Sequence, residues 1–306
     1  MSMRYQAGIV LPGYNPLKVP NAPTIGTATA GFASASVTFT APSDVGGGAI
    51  TGYSVVAIKT SDGSTSVASG ASSPISISGL AGTAYTFKVF ATNAYGPSPL
   101  SAASNSVTPI AVGDAFGGGF LAGQISTAGN SIADYNLVVG PVASAQNASI
   151  QFKTSNTGGD PTSVINGPAN SSTMNSATYP AAQFCEGLTI GGFSDWYMPA
   201  KNELEVCYYN LKPTTQQNNT SSGINANAVP ARASNYTGGP PATNPAQTAA
   251  ADFQSTGAED FALDFYWSST EASSTQAASQ WFLTGYQYDA TKTTVIRVRA
   301  VRRVAV

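Results

Sequence analysis

Residues Asp264–Phe282 read DFYWSSTEASSTQAASQWF. Two tryptophans, two phenylalanines and a tyrosine flank a run of Ser, Thr, Ala and Gln that carries almost no charge. Three readings compete: a ligand platform, a catalytic loop, or two core strands joined by a polar turn. Large aromatics in strands bury about 150–250 Å² each, which favours the third. Trp267 and Trp281, with Trp196 upstream, are therefore assigned to the core. Ser268, Ser269 and Thr270 open the turn, and Glu271 bonds a neighbouring backbone.

The rest of the chain bounds that reading. Charged residues make up 9% of the 306 positions, against roughly 25% in average globular proteins. Aromatics reach 10% and the net charge is −2, so the chain folds rather than staying disordered. It is kept in solution by neutral polar groups, as is common for β-rich proteins displayed outside cells or on virus particles. Such weak charge leaves no broad footprint for nucleic acid. The one basic cluster, VIRVRAVRRV near the C-terminus, alternates Arg297 and Arg299 with Ile296 and Val298, the period of a strand with one wet face. No apolar run is long enough for a membrane span. The N-terminal residues lack the core and cleavage site of a signal peptide. A virion protein made in the host cytoplasm and released by lysis satisfies both an external composition and a missing signal. Cys185 and Cys207 are the two cysteines and there is no histidine; the expected state is two reduced, half-buried thiols on helices, with a disulfide not implied by spacing.

Residues 1–20 carry Pro12, Pro16 and Pro20 with Tyr5 and Tyr14, which reads as an extended docking arm. From 21 to 109, short alternating runs are separated by turn signals, the pattern of a β-sandwich. Val37 and Phe39 share one face; Tyr53, Val55 and Ala57 share another; Ile75 with Ile77, and Tyr85 with Phe87 and Val89, follow. These residues resemble a fibronectin type III domain. Leu80 followed by Tyr85 matches that family's tyrosine corner, TNAYGPSPLS the loop before its last strand and SVTP its exit. Phe39 stands where many members have tryptophan. The resemblance implies a spacer module.

Residues 110–116 read as a linker. Beyond them, GGGFLAGQIS and ADYNLVVGPV are paired strands. A second helical stretch carries Leu204, Cys207, Tyr208 and Leu211 as one stripe, beginning at Pro199–Ala200 and ending at Lys212–Pro213. Residues 214–258 form a long polar loop of the kind that is functional or mobile. Three segments that read as an antiparallel sheet close the chain. GGFSDWYMPAKNEL, YWSSTE, QWF and RVRAVRR, in that order over 117–306, resemble the C-type-lectin-like domains of bacterial surface and phage structural proteins. The fold class expected is mainly β: a fibronectin type III sandwich plus an α+β lectin-like domain, the latter implied by the resemblance.

Candidate ligand residues lie on the long loop (Arg232, Asn235, Tyr236) and on the turn after Trp281 (Tyr286, Gln287, Tyr288, Asp289). Aromatic faces stack on sugar rings while amides and carboxylates bond hydroxyls. The lectin triplets that hold calcium are missing, and Glu259, Asp260 and Asp264 serve equally as caps, so neither metal nor cofactor is expected. Without histidine there is no Ser-His-Asp or Cys-His arrangement, and Glu203 and Glu205, two apart on a helix, face different ways; no catalytic residue is assigned and no enzyme is expected. The leading expectation is a bacteriophage tail fibre or surface appendage, present in several copies. Its arm would dock on other virion proteins, and its head would bind a host-surface glycan or protein. The alternative is a capsid or tail decoration protein that touches only other virion proteins.

Overall fold

Alternating apolar residues in the first half of the chain build seven strands: β1 (Thr24–Gly31), β2 (Ser34–Thr40), β3 (Ile50–Lys59), β4 (Thr65–Gly70), β5 (Ile75–Ser78), β6 (Tyr85–Asn93) and β7 (Gly96–Pro97). They form two antiparallel sheets, ordered β1-β2-β5 and β4-β3-β6-β7. The computed structural model describes residues 18–306, so the expected docking arm falls outside the described residues save for its last three. Val37, Val55, Phe87 and Val89 are wholly buried in the sandwich core. Phe39 packs against Tyr53, with ring centroids 4.8 Å apart, in the place of a tryptophan. The Ala81 amide donates to the Tyr85 hydroxyl at 3.3 Å, one residue after buried Leu80. Strand order and tyrosine corner define a fibronectin type III-like domain.

Its last segment is not a regular strand. The amides of Ser98, Ser101, Ser104 and Val107 donate to the carbonyls of Ala91, Val89, Phe87 and Tyr85. Every third residue of the segment thus meets every second residue of β6, and three residues per turn is the polyproline II period. The Ser98, Ser101 and Ser104 hydroxyls accept from the Ala91, Val89 and Phe87 amides, satisfying the donors that a regular strand would have paired.

The chain divides between Ala111 and Val112. The linker read over 110–116 is therefore split: the Ile110 amide bonds Gly31 of the sandwich, whereas Gly113 donates to the Leu121 carbonyl of the second unit. That unit contains β8 (Ala115–Phe116), β9 (Gly119–Ile125), β10 (Tyr135–Val139), α1 (Val142–Ala145), β11 (Gln146–Gln151), α2 (Gly167–Thr173), α3 (Pro180–Glu186), α4 (Lys201–Leu211), β12 (Phe265–Glu271), β13 (Gln276–Trp281), β14 (Gln287–Thr291), β15 (Val295–Arg299) and β16 (Val301–Ala305). Two sheets result, β16-β10-β9-β8 and β11-β15-β12-β13-β14. The expected three-stranded antiparallel close is corrected: β15 lies parallel to β12, and β16 leaves to pair with β10 in the other sheet. The chain as a whole is mainly β, with an α+β second unit.

Strand β12 lies between two cores. Tyr266 joins Tyr208, Phe261 and Phe282 on one side; Trp267 joins Phe152, Trp196 and Ala277 on the other. Ser268, Ser269 and Thr270 continue this buried strand rather than opening the turn, because their neighbours on both faces are covered. The turn begins at Ala272. Thr270 instead caps α4, its hydroxyl accepting from the Lys201 amide at 3.1 Å, while Glu203 accepts from the Ala200 amide at 2.8 Å, supplying the acceptors that a helix start needs. Cys185 and Cys207 are free and fully rather than half buried, on α3 and α4.

Nor does the arginine-bearing side of β15 face water throughout. Arg299 is 1% exposed; it is stacked over Phe261 at 4.7 Å and paired with Glu259 at 2.7 Å. Its planar cation is covered because an aromatic face and a carboxylate replace its water.

Candidate functional site

The outer end of the five-stranded sheet carries an aromatic strip. Side chains alternate along a strand, so Trp267 and Phe265 share a face of β12, Ala277 and Trp281 a face of β13, and Ala290 and Tyr288 a face of β14. Trp267, Ala277 and Ala290 are buried in the second core. One or two positions further out the cover ends. Phe265 and Trp281, paired across the hairpin, are half-buried and stack at 5.5 Å with planes 12° apart. Tyr288, 47% exposed, lies 5.8 Å from Phe265 and 5.9 Å from Tyr286. Exposed Leu263 borders the strip, and its carbonyl accepts from Trp281 Nε1 at 3.3 Å. On the opposite face of these strands Arg297, the register partner of Tyr266, pairs with Asp264 at 3.2 Å, and Asp289, one position on from Tyr288, is exposed there.

The turn that presents Tyr286 is held from below. The Gly285 amide donates to the Trp281 carbonyl at 2.7 Å, and Gly285 has φ +75° directly above Tyr208, whose ring a Cβ there would strike. Only glycine fits that position without moving the helix beneath.

The sequence candidates divide. Tyr286 and Tyr288 fall on the strip; Gln287 and Asp289 alternate to the other face of β14, where the Gln287 backbone amide donates to Ser222 Oγ at 3.0 Å and Asp289 is exposed, so these two are corrected. Arg232, Asn235 and Tyr236 serve the long loop instead. Tyr236 is 3% exposed and donates to Glu205 at 2.7 Å; its place as a stacking face is corrected, since burial leaves no face open. Arg232 pairs with Glu205 and lies over the Tyr209 ring at 4.0 Å. Asn235 donates to the Thr220 carbonyl at 3.0 Å. Trp281, assigned to the core, is corrected to the surface strip, because β13 outruns its cover by one alternation. Phe265, noted among the aromatics of the stretch, is not among the ligand candidates; pairing it with Trp281 across the hairpin is the signal that finds it.

Residues 214–258 hold little regular structure, one short turn of helix at Ala251–Phe253, yet their polar groups are tied down. Glu205 collects Arg232, Asn225 and Tyr236 from the loop. Lys212 is wholly buried, donating to Asn218 Oδ1 at 2.7 Å and to the Gln216 and Pro245 carbonyls. Burial without a facing carboxylate drops its amine to a pKa of about 8. Glu203, facing away from Glu205, bonds Tyr197 at 2.6 Å and Arg303 at 2.8 Å; burial still raises its carboxyl above the ordinary value against the pull of Arg303. Burial likewise pushes both thiols up, away from the thiolate that nucleophilic chemistry uses. A separate hollow of about 390 Å³ opens beside Tyr135, Asn166, Asp195 and Arg303. No helix among the described residues is long and apolar enough to cross a membrane.

Against known proteins, the family of the Lcl C-terminal domain matches residues 153–302, which takes in the strip, the long loop and most of both cores. No curated protein matches the chain. Among solved structures, a crystal structure of titin domains is similar at 26% identity over 29% of this chain, with a TM-score of 0.28. A structure of titin kinase and its flanking domains is similar at 26% identity over 30%, also with a TM-score of 0.28. The FN5 domain of Drosophila Lar is similar at 24% identity over 30%, with a TM-score of 0.25. This chain spans 32% and 17% of the length of the two titin structures and 97% of the Lar domain.

Proposed function

We propose that the second unit is a lectin-like head that binds a surface glycan through the strip of Phe265, Trp281, Tyr286 and Tyr288, on a bacteriophage tail fibre or appendage. The observation that carries this reading is the strip itself. Four aromatic rings in contact at one end of a sheet, left uncovered where the same face is core further in, offer apolar faces to pyranose rings. The hydroxyls of Tyr286 and Tyr288 provide hydrogen-bond partners for sugar hydroxyls. Aromatic bodies with polar tips are also the groups that binding surfaces favour, since they give contact area at small entropic cost. The fibronectin type III-like unit suits a spacer, and the matched Lcl C-terminal domain family covers the strip. The C-type-lectin-like class and the virion setting rest on motif order and on low charge. In many copies per particle, weak single contacts would hold a cell.

The test is binding of the purified full chain, clustered on beads, to intact bacterial cells before and after periodate oxidation of their glycans. Saturable binding that periodate abolishes, and that Tyr288→Ala weakens, supports the reading. Absence of cell binding by the clustered protein overturns it and favours a decoration protein that contacts only its own particle.

A further inference from the structure

Two lysines and two carboxylates meet in the interior of the second unit, away from the strip. Lys153 follows β11, Asp160 lies in the loop beyond it, Glu271 ends β12, and Lys292 follows β14. Lys292 is wholly buried. Its Nζ lies 2.7 Å from Asp160 Oδ2 and 2.6 Å from Glu271 Oε2, with the carbonyls of Thr157 at 2.9 Å and Ser274 at 3.2 Å. The two oxygens of Asp160 are differently placed. Oδ1 accepts from Lys153 Nζ and from the Tyr179 hydroxyl, each at 2.7 Å; Oδ2 faces only Lys292 in this group. Glu271 Oε2 also accepts from the Asp160 amide at 2.9 Å, which fixes the carboxylate beside both reacting groups. The Phe152 ring closes one side, 5.9 Å from Lys292 Nζ.

We propose that Lys292 and Asp160 are joined by an amide bond between their side chains, formed by the folded protein itself with Glu271 as proton relay. Glu271 takes a proton from the Lys292 ammonium, and the freed amine attacks Asp160 Cγ. From the 2.7 Å contact with Oδ2, the nitrogen is already less than about 4 Å from that carbon. Charge gathers on Oδ1, where Lys153 and Tyr179 already donate, as preorganised donors do at an oxyanion. The nitrogen gives up a second proton, both protons pass through Glu271 to Oδ2, and the C–Oδ2 bond breaks to release one water. The C–N bond formed is neutral, Glu271 returns to its starting state, and nothing is oxidised or reduced.

The fold supplies what a condensation in water lacks. Holding amine and carboxyl in contact replaces a bimolecular encounter. Burial penalises ion pairs, so exchanging one for an amide and a released water relieves the interior, and Lys153 and Glu271 remain as a balanced pair. Burial alone would raise the Asp160 carboxyl, but bonds from Lys153, Lys292 and Tyr179 hold it below the ordinary value. The resting state is thus the ion pair, and proton transfer to Glu271 is the step that starts the reaction. The bond would close 132 positions of chain, enclosing both the long loop and the strip.

Mass spectrometry of the full chain decides the matter. The expected result is a chain lighter than its sequence by one water. Its tryptic digest should contain residues 154–201 branched onto 233–297, with Lys292 uncleaved. Lys292→Arg keeps the cation without the nucleophile and should have its full sequence mass. Glu271→Gln keeps the shape and should also stay at full mass, or lose water far more slowly. A wild-type chain at full sequence mass after prolonged incubation overturns the proposal. So does a water loss that persists in Lys292→Arg, which would place the missing water elsewhere.

Discussion

The two units solve the interior differently. In the sandwich the buried side chains are Val, Ile, Leu, Ala, Pro and aromatics, with Asn93, Ser98 and Ser101 as the buried polar residues. Among the described residues, every buried charged side chain belongs to the second unit. Regular strands satisfy most of the sandwich backbone, and where its last segment is irregular the neutral hydroxyls of Ser98, Ser101 and Ser104 supply the missing acceptors. The second unit encloses a long irregular loop, and Glu205 and Lys212 supply the acceptors and donors that its side chains and backbone would otherwise lack. A notable share of a small charged fraction thus lies inside the second unit.

The sharpest way to break this contrast is to remove one interior anion. Glu205→Ala leaves Arg232, Asn225 and the Tyr236 hydroxyl without their acceptor. Stranding buried partners in this way costs about 3–5 kcal/mol. All three tryptophans lie in the second unit, so their fluorescence during urea unfolding reports that unit alone. Its midpoint should fall while the unfolding of the sandwich, followed by hydrogen exchange of β3 and β6, stays put. An unchanged fluorescence midpoint would mean that the loop does not depend on Glu205.

Lys212 makes the contrast visible in pH. The unfolded chain keeps that proton to about 10.5 and the folded chain only to about 8, so between those values unfolding takes up a proton. Stability of the second unit should therefore rise with pH across that window, by at most ~3 kcal/mol. Lys212→Met, which keeps the stem and drops the charge, should flatten the rise. A slope that survives in Lys212→Met would assign it to another group.

In the sandwich the matching change is small and indifferent to pH. Ile77→Val removes one methylene from a side chain 2% exposed, a loss of about 0.5–1.5 kcal/mol. Hydrogen exchange of β2 and β5 should register it, and the tryptophan transition should not.

The same contrast explains what could be read in advance. The sandwich was legible because alternation, turn residues and the Leu80–Tyr85 spacing are all local in sequence. So were β9, β10 and α4. What escaped was decided by distant partners. Nothing near Arg299 in sequence says that Glu259 and Phe261 will cover it, and nothing near Tyr236 announces Glu205. The parallel placing of β15 beside β12 and the departure of β16 to another sheet are likewise settled by pairing across the chain. Trp281 is the instructive case: the strand and the alternation were readable, but the cover over that face comes from second-core residues such as Ala181 and Cys185, far away in sequence.

Tyr288 tests whether that uncovered end has a use. Tyr288 is 47% exposed and its ring lies tilted against Phe265 and Tyr286, so Tyr288→Ala removes little buried surface and should change stability by no more than ~0.5 kcal/mol. A strip that is only the frayed margin of a core would then lose nothing else. A strip that binds a sugar face loses one of its stacking rings, and affinity for periodate-sensitive cells should fall several-fold with the unfolding midpoint unmoved. Trp281→Ala cannot separate the two cases so cleanly, because its ring also stacks on Phe265 and its indole nitrogen bonds the Leu263 carbonyl. The exposed tyrosine is therefore the residue at which a margin and a site predict different outcomes.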